Sequence, residues 1–287
     1  MYTMAYTSPI DIKKAGECSL KCLYWFQYGI SSCRVEVQDK YVKIYYDGSS
    51  DVVYNSVKYI PEEIRIYCPS LHTYEGKTAP AEMIILHKSN QGTFIVCIPI
   101  LTTTASIAST GSTLLTTILE HLPTKEEGTI SLQLNDFNLN HIVPKAPYYS
   151  YQGTTPYSSD IDADYIVFAP ADGHIYISQE TLDLLQKSIS PSGMEIVEGS
   201  AYFNKTGSTK NGFSGEGQIY IDCQPVSSSE EIVYEEPKES SSTFSMDWIY
   251  KFMYIIVGVI FVLVAYMIFR FVFRYMFPKN QMLKNVK

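Results

Sequence analysis

The side chains that could do chemistry gather in one stretch, Glu63–His87 (EIRIYCPSLHTYEGKTAPAEMIILH). It holds Arg65, Tyr67, His72, Glu82 and His87: a guanidinium, a phenol, a carboxylate and two imidazoles. A histidine next to a carboxylate can move protons near neutral pH. Such work needs a reachable substrate, and the sequence shows none. Arg65 stays cationic in any protein environment and so repels a metal ion rather than binding it. The remaining histidines, His121, His141 and His174, have no mutual spacing. Cys18, Cys22, Cys33, Cys68, Cys97 and Cys223 form no C-x-x-C pair and no zinc-finger spacing with histidine. Six cysteines permit three disulfides, but the N-terminus carries no signal-peptide core, so free or mostly free thiols are expected. Asn204-Lys205-Thr206 is a glycosylation sequon that matters only if this part of the chain enters the secretory lumen.

Two strands must position these groups. In EIRIYC, Arg65 and Tyr67 share one face and Ile64 and Ile66 the other, the period of a β-strand. In AEMIILH, Glu82, Ile84 and Leu86 share one face, and Ala81, Met83, Ile85 and His87 the other. Gly76 and Pro80 bracket the loop between them.

SLHTYEGKTAPAEMIILH resembles the α-carbonic anhydrase segment S-E-H-T-x-(D/N)-(G/K)-x-x-x-x-A-E-L-H-L-V-H. YYSYQGTTPYSSDIDADYIVF (Tyr148–Phe168) is similar to that family's Y-x-x-Y-x-G-S-L-T-T-P-P-x-x-E-x-V-x-W-I-V-F, with a segment one residue shorter. Ser8–Ile12 resembles its S-P-(I/V)-(N/D)-I entry, and Ile177–Ile189 its I-S-x-x-Q-L helix, with Ser178 as N-cap. The resemblance covers about residues 7–223. It implies a mainly β (α+β) domain, a large twisted central sheet with short peripheral helices. In the family, three histidines hold a catalytic zinc; those positions fall on Arg65, Tyr67 and Ile84. A catalytic zinc needs three His, Cys or carboxylate ligands and an open position. The resemblance therefore implies a scaffold without its metal, no cofactor and no hydratase activity. His72 and Glu82 match the residues behind the ligands, and His87 the structural histidine that ends the strand. The proton-shuttle position falls near Lys40, and the relay glutamate on Leu71.

Two readings of Arg65 follow. As a structural replacement it would be a buried cation neutralised by Glu82, since a lone buried charge is very costly. As an anion site at the floor of the old active-site cone it would act with Lys40 and Thr154 or Thr155.

Elsewhere, Leu23–Tyr28 and Tyr41–Asp47 read as strands, and FIVCIPIL (Phe94–Leu101) as a strand buried on both faces, with Pro99 a complication. The Ser/Thr-rich Thr102–Thr113 leads into a short amphipathic helix, LLTTILEHL, stopped by Pro123. Gln218–Asp222 would close the domain.

The net charge of −8 excludes the basic face of a nucleic-acid binder. The acidic balance holds over residues 1–225 and argues against a sulfated ligand. The expected organisation is a domain over 1–223, an acidic Ser-rich stalk over 224–247, a transmembrane helix over 248–270 and a basic tail over 271–287. The span rests on the uncharged apolar run Phe252–Phe269 flanked by Trp248 and Tyr250. Arg270, Arg274, Lys279, Lys284 and Lys287 follow it. This architecture resembles the poxvirus cell-surface-binding family: a metal-free carbonic-anhydrase-like domain, a C-terminal anchor and no signal peptide. It implies a single-pass protein of a virion membrane with the N-terminal domain exposed. Its partners would be that membrane and a host-cell surface protein or glycan, met outside the ancestral pocket. The alternatives are a structural virion or cell membrane protein without a receptor, and a carbonate dehydratase with displaced zinc ligands.

Overall fold

A computed structural model of the chain describes residues 5–18, 22–107, 109–209, 266–268 and 270. The chain divides into two units, 1–220 and 221–287. Of the second, only the helical residues 266–268 and 270 are described. The expected strand Gln218–Asp222, the stalk, the basic tail beyond Arg270 and all but those four residues of the expected span lie outside the described residues. No helix among the described residues is long and apolar enough to cross a membrane.

The first unit is built on a thirteen-stranded mixed sheet. Its centre is three antiparallel neighbours, Val57–Tyr67, Ala81–Ser89 and Gly92–Thr102. Val42–Tyr45, Cys33–Val37 and Ile130–Leu132 extend it on one side. On the other side come Ser158–Val167, Tyr148–Thr155, Ala201–Asn204 and finally Lys14–Glu17. Tyr24–Tyr28 and Ser50–Tyr54 branch from the start of Val57–Tyr67, and Ile175–Ile177 pairs with the end of Gly92–Thr102.

The alternation read from the sequence puts two apolar cores on the two faces. Ile64, Ile66, Met83, Ile85, Phe94 and Val96 belong to the larger one, which the helices α1 (Thr110–Glu120) and α2 (Gln179–Ser188) join through Leu115, Ile118, Leu182 and Leu185. Tyr67, Ile84, Leu86, Ile95, Cys97 and Tyr165 form the smaller. Burying such side chains stabilises a fold by about 25 cal/mol per Å² of apolar surface removed from water.

Local signals explain the element ends. Ser178 caps α2, accepting from Thr181 N at 3.0 Å, as expected. Helix α1 starts at Thr110, ahead of its apolar run, because Ser109 serves as N-cap and accepts from Ser112 N. Pro99 is tolerated in a central strand because it falls in a gap. Residues 93–97 pair with Ala163–Val167 and residues 100–102 with Ile175–Ile177, so Pro99 sits where the parallel partner changes.

The expectation of mostly free thiols needs one correction. Cys18 and Cys22 are disulfide-bonded, while Cys33, Cys68 and Cys97 are free and buried. Their Cα atoms are 6.1 Å apart, within disulfide reach, and Cys22 adopts a left-handed φ of 60°.

His87 was expected to end its strand, but the strand runs two residues further, to Ser89, after a bulge between Leu86 and His87. Its Nε2 lies 2.8 Å from Tyr28 Oη and its Nδ1 3.3 Å from Phe94 O, so Nδ1–H donates to the carbonyl and the phenol donates to Nε2. Burial pushes His87 down to about 3. In the unfolded chain it takes a proton below about pH 6.5, which the fold refuses until about 3. Stability is therefore expected to fall as pH drops through that window. Urea midpoints at pH 8, 6 and 4.5 should decline, and His87→Gln, which keeps an acceptor for Tyr28, should flatten the decline.

Candidate functional site

The antiparallel register sets Ile84 directly opposite Arg65 and Glu82 opposite Tyr67. Arg65, Tyr67 and Ile84, expected to be a cluster, are therefore neighbours on one face of two adjacent strands. Lys43 sits opposite Arg65 on the strand at the other side. The Arg65 guanidinium lies between two rings, 4.6 Å from the centroid of Tyr41 and 4.7 Å from that of Tyr157. Its Nε donates to Glu63 Oε1 at 2.6 Å, and its Nη2 pairs with the same oxygen. Lys43 Nζ holds Glu63 Oε2 at 2.6 Å. Burial alone would raise the Glu63 carboxyl, but Lys43 and Arg65 hold it below the usual carboxylate range. Burial pushes the Tyr67 phenol up to about 12, against the pull of Arg65.

These side chains do not fit a zinc ion. Arg65 is a cation with no lone pair to give, Tyr67 keeps its proton at neutral pH, and Ile84 has no donor atom.

The expected Arg65–Glu82 pair does not form, and the register says why. Glu82 lies two residue pairs further toward the loop on the neighbouring strand, whereas Glu63 lies two residues from Arg65 on the same strand and face. Glu82 is fully buried and turns to the loop instead. Its Oε2 accepts from Leu71 N at 2.8 Å and His72 N at 3.1 Å. Its Oε1 accepts from His72 Nδ1 at 2.9 Å and Tyr74 Oη at 3.1 Å. Burial would raise Glu82, but His72 and the two backbone N–H groups hold it below its ordinary value. His72 Nε2 continues the chain to Tyr151 Oη at 2.6 Å, and Tyr151 to Ser8 Oγ at 2.9 Å. Cys97 stands beside this pair, its Sγ within 4.8 Å of His72 and Glu82 donor atoms. Burial pushes its thiol well up.

Above Arg65 opens a cleft of about 730 Å³. Lys40, Tyr41, Tyr67, Tyr157 and Met194 are among its walls. Lys40 and Arg65 thus meet there, as the anion-site reading requires. Thr154 and Thr155 do not join them. Thr154 Oγ1 accepts from Thr7 N at 3.0 Å, and Thr155 Oγ1 donates to Ser158 O at 3.1 Å. The wall there is made by Pro156 and Tyr157. Lys40 Nζ donates to Ser192 O at 2.9 Å. Leu71, at the relay position, is buried and apolar.

Asn204 offers no glycan acceptor in the folded domain. It is 3% exposed, its Oδ1 accepts from Thr206 N and Gly207 N at 3.0 Å each, and its Nδ2 faces Cys22 O at 3.4 Å.

The residues the sequence reading missed are Glu63, Lys43, Tyr41 and Tyr157 around Arg65, and Cys97 and Tyr151 around His72. The Glu63–Arg65 spacing was a usable signal, since i and i+2 of a strand share a face. The others come from segments that only the fold brings together.

Scans against protein-family models and curated sequences match nothing. Solved structures do match. A hyperthermostable carbonic anhydrase from an active hydrothermal vent chimney is 21% identical with a TM-score of 0.57, covering 70% of this chain and 88% of its own. The α-carbonic anhydrase of Photobacterium profundum is 17% identical at 0.58, covering 70% and 89%. Dioscorin, in a structure complexed with ascorbate, is 16% identical at 0.55, covering 72% and 88%. The fold of this chain is that of the α-carbonic anhydrases.

Two measurements check the site. In double-mutant cycles, Arg65→Met and Glu63→Gln should couple by about 0.5–3 kcal/mol, and Arg65→Met with Glu82→Gln by less than about 0.5. Glu82→Gln alone should cost about 3–5 kcal/mol, because it strands the groups that converge on it. Intact-mass measurement after expression through a secretory pathway should find no glycan on Asn204.

Proposed function

We propose that this chain is a membrane-anchored, non-catalytic binding protein with a carbonic-anhydrase fold, carried on a virion surface and used to attach the particle to a host cell. One observation carries the non-catalytic part: the Arg65 guanidinium occupies the floor of the cleft, with Ile84 opposite it and Tyr67 protonated beside it. A cation held there by Glu63 leaves a divalent metal neither ligands nor favourable charge. The apolar run Phe252–Phe269 and the basic residues after it support a C-terminal anchor, and the acidic Ser-rich 224–247 a stalk. A tethered domain on a flexible stalk suits adhesion. Many copies on one surface can raise avidity by ~10²–10⁴ over a single contact. The partner is a host-cell surface protein or glycan, and the domain faces outward from the virion membrane. A structural membrane protein without a receptor remains the competing role for the same architecture.

The His72, Glu82 and Cys97 donor atoms favour a second reading, a hydratase whose zinc has moved. The geometry weighs against it. All three residues are buried, and the His72 and Glu82 donors are already spent on hydrogen bonds. A catalytic zinc needs a position open to water and substrate.

Elemental analysis of the purified chain should show no stoichiometric zinc, and CO₂ hydration should not exceed background. One zinc per chain would refute the proposal. Protease treatment of intact particles should release the domain; protection of the whole chain would overturn the topology.

A further inference from the structure

The charges on the cleft floor do not balance. Glu63 is one carboxylate shared by two cations, with Lys43 on Oε2 and Arg65 on Oε1. All three are largely buried, the side chains being 22%, 12% and 10% exposed for Lys43, Arg65 and Glu63. The cluster keeps one positive charge in surplus, in a partly desolvated place where charge is weakly screened. Lys40 adds a second cation at the cleft wall, against Glu195.

The guanidinium is also pre-positioned. Tyr41 and Tyr157 cover its faces, and Glu63 takes Nε and Nη2. Arg65 also hydrogen-bonds Tyr67, and both side chains line the cleft. A fork held this way loses little freedom on pairing with a planar anion. The surrounding wall is phenolic: Tyr6, Tyr41, Tyr67 and Tyr157 all line the cleft. The cleft volume is that of a small-molecule site.

The geometry points to a binding site for a singly charged carboxylate borne on a six-membered ring, with Arg65 as its anchor and the tyrosines stacking on the ring. The single surplus charge and the acidic chain favour a monovalent group over a polysulfated one. Two sources present this chemistry, an acidic sugar of a surface glycan and a free aromatic acid. The inference rests on the non-catalytic reading of the same cleft, and adds a ligand inside it to any contact made by the outer surface.

The test is saturation-transfer NMR on the full chain in detergent micelles, treated beforehand with a chelator. The probes are N-acetylneuraminate, glucuronate and 4-hydroxybenzoate, each beside its methyl ester. At least one acid should bind, with its ester at least tenfold weaker. Binding by the sugar acids identifies a glycan, and binding by 4-hydroxybenzoate a free aromatic acid. Arg65→Met should weaken the acid at least tenfold, and Tyr157→Ala, at the exposed rim, severalfold. Should Arg65→Met fail to fold, Arg65→Lys keeps the charge, loses the fork and should still weaken binding severalfold. The proposal falls if no acid binds, or if a folded Arg65 variant binds as the wild type does. Zinc in the untreated chain would sink the non-catalytic reading, while carboxylate binding that survives chelation would still stand.

Discussion

The buried carboxylate of Glu82 is the constraint on which the rest of this domain depends. An ionised group with no exposure is tolerable only when its oxygens are satisfied. Four donors do this: two backbone N–H groups, one imidazole and one phenol. All four belong to the loop at residues 71–74, so the charge fixes that loop to the middle of the sheet. Through His72 and Tyr151 the same chain of bonds reaches Ser8. A central strand, a loop, a neighbouring hairpin and the N-terminal segment are thereby held by one polar line across the smaller core.

Arg65 poses a second electrostatic problem next to the first, and the two are solved separately. Its positive charge needs a carboxylate, but Glu82 is already committed to the loop. The balancing carboxylate comes from Arg65's own strand, at Glu63, and Lys43 joins it across the ladder. The floor of the cleft is thus two cations on one carboxylate, and the His72–Glu82 pair beside it holds the loop to the sheet.

Much of this was legible in the chain. The alternation in EIRIYC and AEMIILH identified the two central strands and the face of every residue on them, because successive side chains of a strand point to opposite faces. Ser178 and its helix were legible because N-capping is local. Partner choice was not. Glu82 and Glu63 each stand two positions along the ladder from Arg65, one on the neighbouring strand and one on its own, so which of them it meets depends on where each carboxylate turns. The Cys18–Cys22 bond was announced by no local motif. Thr154 and Thr155 were assigned by motif, yet the shortened turn puts Pro156 and Tyr157 at the cleft.

The sheet order joins the two ends of the domain. Ala201–Asn204, the last described strand, lies between Tyr148–Thr155 and the parallel edge strand Lys14–Glu17. It is held by three residue pairs on each side, against the nine pairs that join Ala81–Ser89 to Gly92–Thr102. Among the described residues each is one of the shortest ladders, so the last described strand is also one of the most weakly paired. A pull that stripped this strand alone would break a margin of the sheet and leave the bonds of the Glu82 network intact.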